Sequence, residues 1–436
     1  MDSLSTTAIF ELMGETFDAL PDGRTGKNTT YEVADAAAGA FGVFFTQSPS
    51  FLAHQRDMER SKGRNNAASL FGVRKIPSDQ QIRNILDLVP PHHLYEPFWT
   101  LHKRLEQSEH LSEHKGHDGT YLVALDGTYY FSSQTIHCEN CTVHQHDNQV
   151  RYFHSAVTPV IVTPDSTRVY PLEPEFISPQ DGAEKQDCER NAAKRWVERN
   201  GERFVAWQAT VLADDLHCHQ PFCTLLKQQQ VNFILVCKPD SHPTLYEEIT
   251  LLERIDGIAN HTRRHWNGRF AEHWTYRYVN QVPLRFGEDA LLVNWCEVRV
   301  VREDTGERIY FNTFITNFEL SEETVASVVH SGRARWKVEN ENNNVLKNYG
   351  YNLEHNYGHG EHYLSAFLLT LNLLAFLIHS ILDETNDIYA AIREELGARK
   401  TFFNDIRALT RYLYFDSWDS LLQFMATQLE IDLVPD

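Results

Sequence analysis

Three carboxylates stand where the chain could bring acidic oxygens together. Asp126 ends the apolar run Tyr121 to Leu125, and Asp214 ends the run Val205 to Ala213. Glu339 lies in the tract Gly332 to Gly360, GRARWKVENENNNVLKNYGYNLEHNYGHG. After Gly332 that tract reads as a helix, since it lacks proline and offers Trp336, Val338, Val345 and Leu346 for packing. Residues four apart share a helical face, so Arg335, Glu339, Asn343 and Lys347 form one row, with a carboxylate between two cations. Glu341 points elsewhere, roughly 200° around from Glu339. Acidic groups of this kind suit Mg²⁺, which takes few protein carboxylates and keeps positions for water and phosphate oxygens. The plain alternatives are a solvated charged face for Glu339 and a turn or cap role for each aspartate.

The cysteines suggest a second chemistry. Cys138-x-x-Cys141 follows the first acidic block, and Cys218 and Cys223 follow the second. If the two blocks abut, four thiolates could hold a structural Zn²⁺ tetrahedrally, with His137, His144, His146 and His219 as substitutes. Free thiols are the alternative. Nothing else in the chain supports an acyl-transfer site around a nucleophilic cysteine.

The elements that must position these groups follow from composition and pattern. The 436 residues suffice for two to four domains. A net charge of −20 argues against nucleic-acid binding by bulk charge, although a local basic patch can suffice. Seven cysteines without secreted-scaffold density, and no signal peptide over Met1 to Leu20, predict a cytoplasmic protein. Leu364 to Leu382 is apolar enough for a membrane span, but Ser365, Thr370, Asn372 and His379 within it favour a buried core helix.

Residues 1–115 read as helical. Asn65 to Phe71, the turn at Gly72 and the helix opened by Pro77-Ser78-Asp79 make a candidate helix-turn-helix. It would present Gln80, Gln81, Arg83 and Asn84 to DNA. Strands and helices then alternate through residues 116–260: strands at 128–133, 153–162, 168–174, 205–213 and 231–237, helices at 181–200 and 221–230. Gly201 closes the first of these helices. Residues 261–319 read as a β-rich insertion of antiparallel strands, turning at Asp304-Thr305-Gly306. It carries Arg263, Arg264, Trp266, Arg269, Trp274 and Arg277, a mix suited to stacking on bases beside phosphates. Residues 320–385 hold the glutamate helix and the apolar helix, and residues 386–436 are helical.

In combination, LDGTYYFSS around Asp126, LADDLHCHQPFC around Asp214 and RWKVENENNNVLKN around Glu339 resemble the three catalytic blocks of bacterial insertion-sequence DDE transposases. The closest group bears a Tyr-Arg-Glu-Lys signature on its glutamate helix. FGVRKIPSDQQIRNILD and GYNLEHNYGHG resemble members of that group too, so the likeness spans most of the chain. It implies an α/β, ribonuclease H-like mixed-sheet core with a β-rich insertion. It also implies Mg²⁺- or Mn²⁺-dependent cleavage and strand transfer by Asp126, Asp214 and Glu339, with Asp215 as the alternative second aspartate. Arg335, Lys347, Arg83, Trp266 and Trp274 would contact DNA. The partners implied are terminal inverted repeats and target DNA, bound by a homodimer in the nucleoid-associated cytoplasm, with no membrane. The sequence departs from the signature at Gly332, where the tyrosine would stand, and at Leu346, where the lysine would stand one place before Lys347.

Overall fold

The structure, a computed structural model, describes residues 3–25, 30–59, 65–146, 149–179 and 187–432. Thirteen strands form two sheets among the described residues. In chain order they are β1 (Leu122–Ala124), β2 (Gly127–Ser133), β3 (Thr142–His146), β4 (Gln149–Val157), β5 (Val160–Thr163), β6 (Ser166–Pro171) and β7 (Glu175–Ile177). Then follow β8 (Thr210–Ala213), β9 (Asn232–Val236), β10 (Ala259–Trp266), β11 (Ala271–Pro283), β12 (Leu292–Arg302) and β13 (Arg308–Thr316).

The larger sheet is mixed, in the order β10-β11-β12-β13-β9-β8-β1-β5-β6. Its centre is parallel: β1 pairs with β8, and β8 with β9. Those strands are continuous apolar runs because helices cover both faces. β5 and β6 extend one side antiparallel. On the other side β13 pairs with β9, so the β-rich segment continues the core sheet rather than forming a separate body. β10 opens that segment and forms the outer edge of the sheet.

The smaller sheet, β2-β4-β3 with β7 on β4, begins where the chain leaves β1. The segment predicted as one strand over 153–162 is two. β4 belongs to the small sheet, and β5 returns to the large one after Thr158-Pro159. The two crossing points touch, since Thr158 N–H donates to the Asp126 carbonyl at 2.9 Å.

The helix expected at 181–200 runs instead from Glu189 to Trp207; residues 180–186 lie outside the described set. Gly201 does not end it. The helix passes through Gly201, whose missing side chain leaves room for Gln229, and the strand after it shortens to β8. The apolar helix Leu364–Thr385 is the core helix that the sequence suggested. It is long and apolar enough to cross a membrane, yet every residue from Phe367 to Leu382 is buried against the helix Val33–Phe45 and β6. Its polar groups find protein partners: Asn372 donates to the Tyr351 carbonyl at 3.0 Å, and His379 meets the Tyr351 hydroxyl at 2.7 Å. Asp87 caps its start, accepting backbone N–H groups of Glu361, His362, Tyr363 and Leu364 at 2.9 to 3.1 Å.

Candidate functional site

Asp126 and Asp214 leave adjacent parallel strands at the same level. Ala124 is in register with Leu212, and each aspartate stands two residues further on, at the carboxyl ends where α/β sheets build sites. Asp214 accepts from Leu216 N–H at 3.0 Å, and its charge acts on Asp126. Asp215 turns away: it accepts from Lys238 N–H at 2.6 Å and from the Ser241 hydroxyl, and lies 3.5 Å from His242. The geometry therefore favours Asp214 over Asp215.

The glutamate segment reaches Asp126 directly. Asn343 Nδ2 donates to Asp126 Oδ2 at 2.8 Å. Its own Oδ1 accepts from Thr158 at 2.9 Å and from Asn342 at 3.0 Å, which fixes the amide orientation. Arg335 bonds Glu339 at 2.7 Å; Arg335 is 17% exposed at its side chain and Glu339 51%.

This segment is not one regular helix. An α-helix Val325–Arg333 gives way to a tight turn, a π-helical stretch Val338–Asn343 and a short α-helix Asn344–Asn348. A spacing of four drifts by about 40° per step in an α-helix. A π turn takes one more residue and offsets that drift, which keeps Arg335, Glu339, Asn343 and Lys347 on one side. Lys347 nonetheless pairs with Glu354 at 3.0 Å, not with Glu339.

Two residues anchor the segment. A Cβ at Gly332 would stand 2.8 Å from Ile234 and 3.0 Å from Phe314, so close packing on β9 and β13 excludes a tyrosine there. Lys337, 4% exposed, reaches across to donate to the carbonyls of Thr163, Pro164 and Ser166. Sequence reading missed this anchor, because a lone lysine between Trp336 and Val338 reads as solvated.

A fourth carboxylate was also missed. Glu189, the first residue of its helix, accepts Gly127 N–H at 3.2 Å and meets His217 at 3.0 Å. A side chain at Gly127 would collide with it, which accounts for glycine directly after Asp126. Burial, then the charges of Glu189, Glu339 and Asp214, push the Asp126 carboxyl up to about 7, against an opposing pull from Arg335. The site thus carries more negative charge than its own cations neutralise. Its carboxylate oxygens are spread, since Asp126, Asp214 and Glu339 do not all come within 4.8 Å of one another.

No family model and no curated protein matches the chain.

The four predicted zinc thiols do not form one site. Cys138 and Cys141 gather with His154 and His359, whereas Cys218 gathers with Cys237 and His242. The reason is topological: the Cys138-x-x-Cys141 turn lies between β2 and β3 in the small sheet, while Cys218 and Cys223 follow β8 in the large one. Of the proposed substitutes, His137 stacks on Tyr152 at 4.4 Å, His144 packs on Phe153 at 4.7 Å, and His219 caps the helix Gln220–Gln228.

The two helices of the candidate helix-turn-helix are Asn66–Phe71 and Asp79–Leu86, with Gly72 left-handed and Ser78 as cap, and each packs on the helix Val33–Phe45. Arg83 there faces the protein: it donates to the Tyr357 carbonyl at 2.8 Å and pairs with Asp79 at 3.1 Å. Trp266, 60% exposed, stands at the tip of the β10-β11 hairpin. Trp274 is half-buried, bonds Glu272 at 2.9 Å, and carries the Arg333 guanidinium 4.7 Å from its ring.

Proposed function

We propose that the protein is a DDE-type DNA transposase that cleaves element ends and joins them to target DNA with Mg²⁺ or Mn²⁺. One observation carries the reading. Asp126 and Asp214 stand side by side on parallel strands, and Asn343 ties the Glu339 segment to Asp126 at 2.8 Å. The mixed sheet, antiparallel on one side of β1 and parallel on the other, supports a ribonuclease H-like core.

The donor set fits a divalent cation: hard oxygen ligands in an acidic, partly open site, with Asp126 held up at about 7 by burial and then by its acidic neighbours. Asp126, Asp214 and Glu339, too widely spread to ligate one ion together, would hold two between them, which when bound activate the attacking oxygen and stabilise the leaving one. Asn343 orients the Asp126 carboxylate. Arg335 has no acceptor atom, cannot ligate metal, and is placed to take a phosphate of the cleaved strand. The resemblance puts the signature lysine at Leu346, one place early; the π turn takes up one extra residue, which supports Lys347 as its counterpart. Trp266 and Trp274 stand on one hairpin three rungs apart, and so on opposite faces; exposed Trp266 is the ring free to stack on a displaced base.

The test uses DNA carrying the element's own terminal repeats, with Mg²⁺. Cleavage and joining to target, lost in Glu339→Gln with end binding retained, is the expected result. Nicking without joined product would support a hydrolytic nuclease instead. Full activity of Glu339→Gln would overturn both.

A further inference from the structure

Cys138, Cys141, His154 and His359 come from three separate pieces of chain. Cys138 and Cys141 sit in the turn between β2 and β3, His154 on β4, and His359 in the loop before the helix Leu364–Thr385. Their ligand atoms converge. The sulfurs are 4.0 Å apart. His154 Nε2 lies 3.5 Å from each sulfur, His359 Nε2 is 3.5 Å from Cys141 Sγ, and the two Nε2 atoms are 3.0 Å apart. The remaining edge, Cys138 to His359, is within 4.8 Å.

A tetrahedral ion with Zn–S of about 2.3 Å and Zn–N of about 2.0 Å has edges of about 3.8 Å between sulfurs, 3.5 Å between sulfur and nitrogen, and 3.3 Å between nitrogens. The five edges with a stated length match that figure to within about 0.3 Å. A disulfide does not fit, because its sulfurs would stand about 2.0 Å apart. His359 Nδ1 meets the Gly360 carbonyl at 2.7 Å. That contact selects the tautomer with a proton on Nδ1 and leaves a lone pair on Nε2, the arrangement that orients metal-binding histidines. Two imidazole nitrogens facing each other at 3.0 Å, flanked by two sulfurs, need a cation or a shared proton between them.

We propose that Cys138, Cys141, His154 and His359 bind one structural Zn²⁺. The ion closes on four protein ligands and leaves no open position, so its role is to hold elements together rather than to react. The elements it joins matter. β2 begins directly after Asp126, and the loop carrying His359 follows the segment that bears Glu339. The zinc therefore clamps the chain leaving one metal-site carboxylate to the chain leaving another. The inference stands on the Cys/His geometry and does not depend on the transposase reading.

The test is metal analysis of the full-length protein, followed by replacement with Co²⁺, whose thiolate charge-transfer and tetrahedral d–d bands report the ligands. About one zinc per chain is expected. The paired change Cys138→Ser with Cys141→Ser should abolish the zinc and the bands, while Cys218→Ser, in the other cluster, should leave both. Zinc-free wild-type protein that also gives no cobalt spectrum would overturn the assignment. So would zinc that survives the paired change. If that variant is insoluble, His359→Cys decides: a third thiolate must intensify the charge-transfer band, and an unchanged spectrum rules His359 out.

Discussion

The acidic site and the Cys/His cluster lie at opposite ends of the same connections, yet they are built on opposite principles. Asp126, Asp214 and Glu339 are partly open and too widely spread to share one small sphere. Cys141, His154 and His359 are 5%, 6% and 8% exposed, and with Cys138 their ligand atoms already stand at tetrahedral spacing. Their electrostatics differ in the same sense. Burial and acidic neighbours push Asp126 up to about 7, against its charged form, whereas a hydrogen bond from Cys138 draws Cys141 down to about 7, toward its charged form. A closed donor set is complete within the protein and serves stability. In the proposed function, a spread acidic set is incomplete until cations and phosphates arrive, and serves chemistry.

That contrast breaks most visibly on substitution. Asp126→Asn keeps the shape and an acceptor for Asn343 but removes a carboxylate. Strand cleavage should fall by about a thousandfold or more, while the melting temperature holds or rises, because a repelled, buried charge is gone. The cluster should behave the other way. Stripping its metal with a strong chelator should lower the melting temperature by about 5 °C or more, and zinc should restore it where Mg²⁺ does not. A large stability loss in Asp126→Asn, or an indifferent melt after chelation, would dissolve the distinction.

How far each site was legible in the sequence follows from the range of its contacts. β1, β8 and β9 were readable because apolar runs ending in Asp or Lys carry their own boundaries. The pairing of Asp126 with Asp214 followed from strand-end chemistry. Glu189 was not readable: it opens a charged helix, and only the tertiary approach to Gly127 and His217 sets it apart. Sequence mispairs the Cys/His partners because Cys218 and Cys223 follow the second acidic block as Cys138-x-x-Cys141 follows the first. Its real partners are a lone histidine on β4 and one from HNYGHG, 205 residues apart. The unusual composition of that tract was the one available signal. The π turn left none, since its residues also suit an α-helix.

Two side chains link the acidic site to its scaffold and sharpen the comparison at smaller scale. Asn343→Leu removes the bond to Asp126 without touching a carboxylate, so cleavage should drop about 10- to 100-fold, as for other groups that orient metal ligands, with DNA binding retained. Equal activity would mean that Asp126 is oriented by burial alone. Lys337→Met should leave the ligands intact but deprive three carbonyls of their donor. Denaturant melts should show about 1 to 3 kcal/mol of lost stability.

The smallest effect separates the two cations of the glutamate segment. Arg335 lies largely covered against Glu339, beside the acidic site, and Arg335→Ala should reduce the salt slope of end binding by about one unit. Lys347 is already paired with Glu354, whose side chain is 62% exposed, and such a pair contributes about 0 to 1 kcal/mol to stability. Lys347→Ala should therefore barely move the melt. Its role in DNA binding is better tested by freeing it. If Lys347 reaches a phosphate, binding DNA must first separate it from Glu354, and Glu354→Ala should tighten end binding a few-fold at low salt. If Lys347 serves only the ion pair, Glu354→Ala leaves affinity and salt slope unchanged. The second outcome would confine phosphate contact in this segment to Arg335 and make the acidic site more one-sided than the row of four suggests.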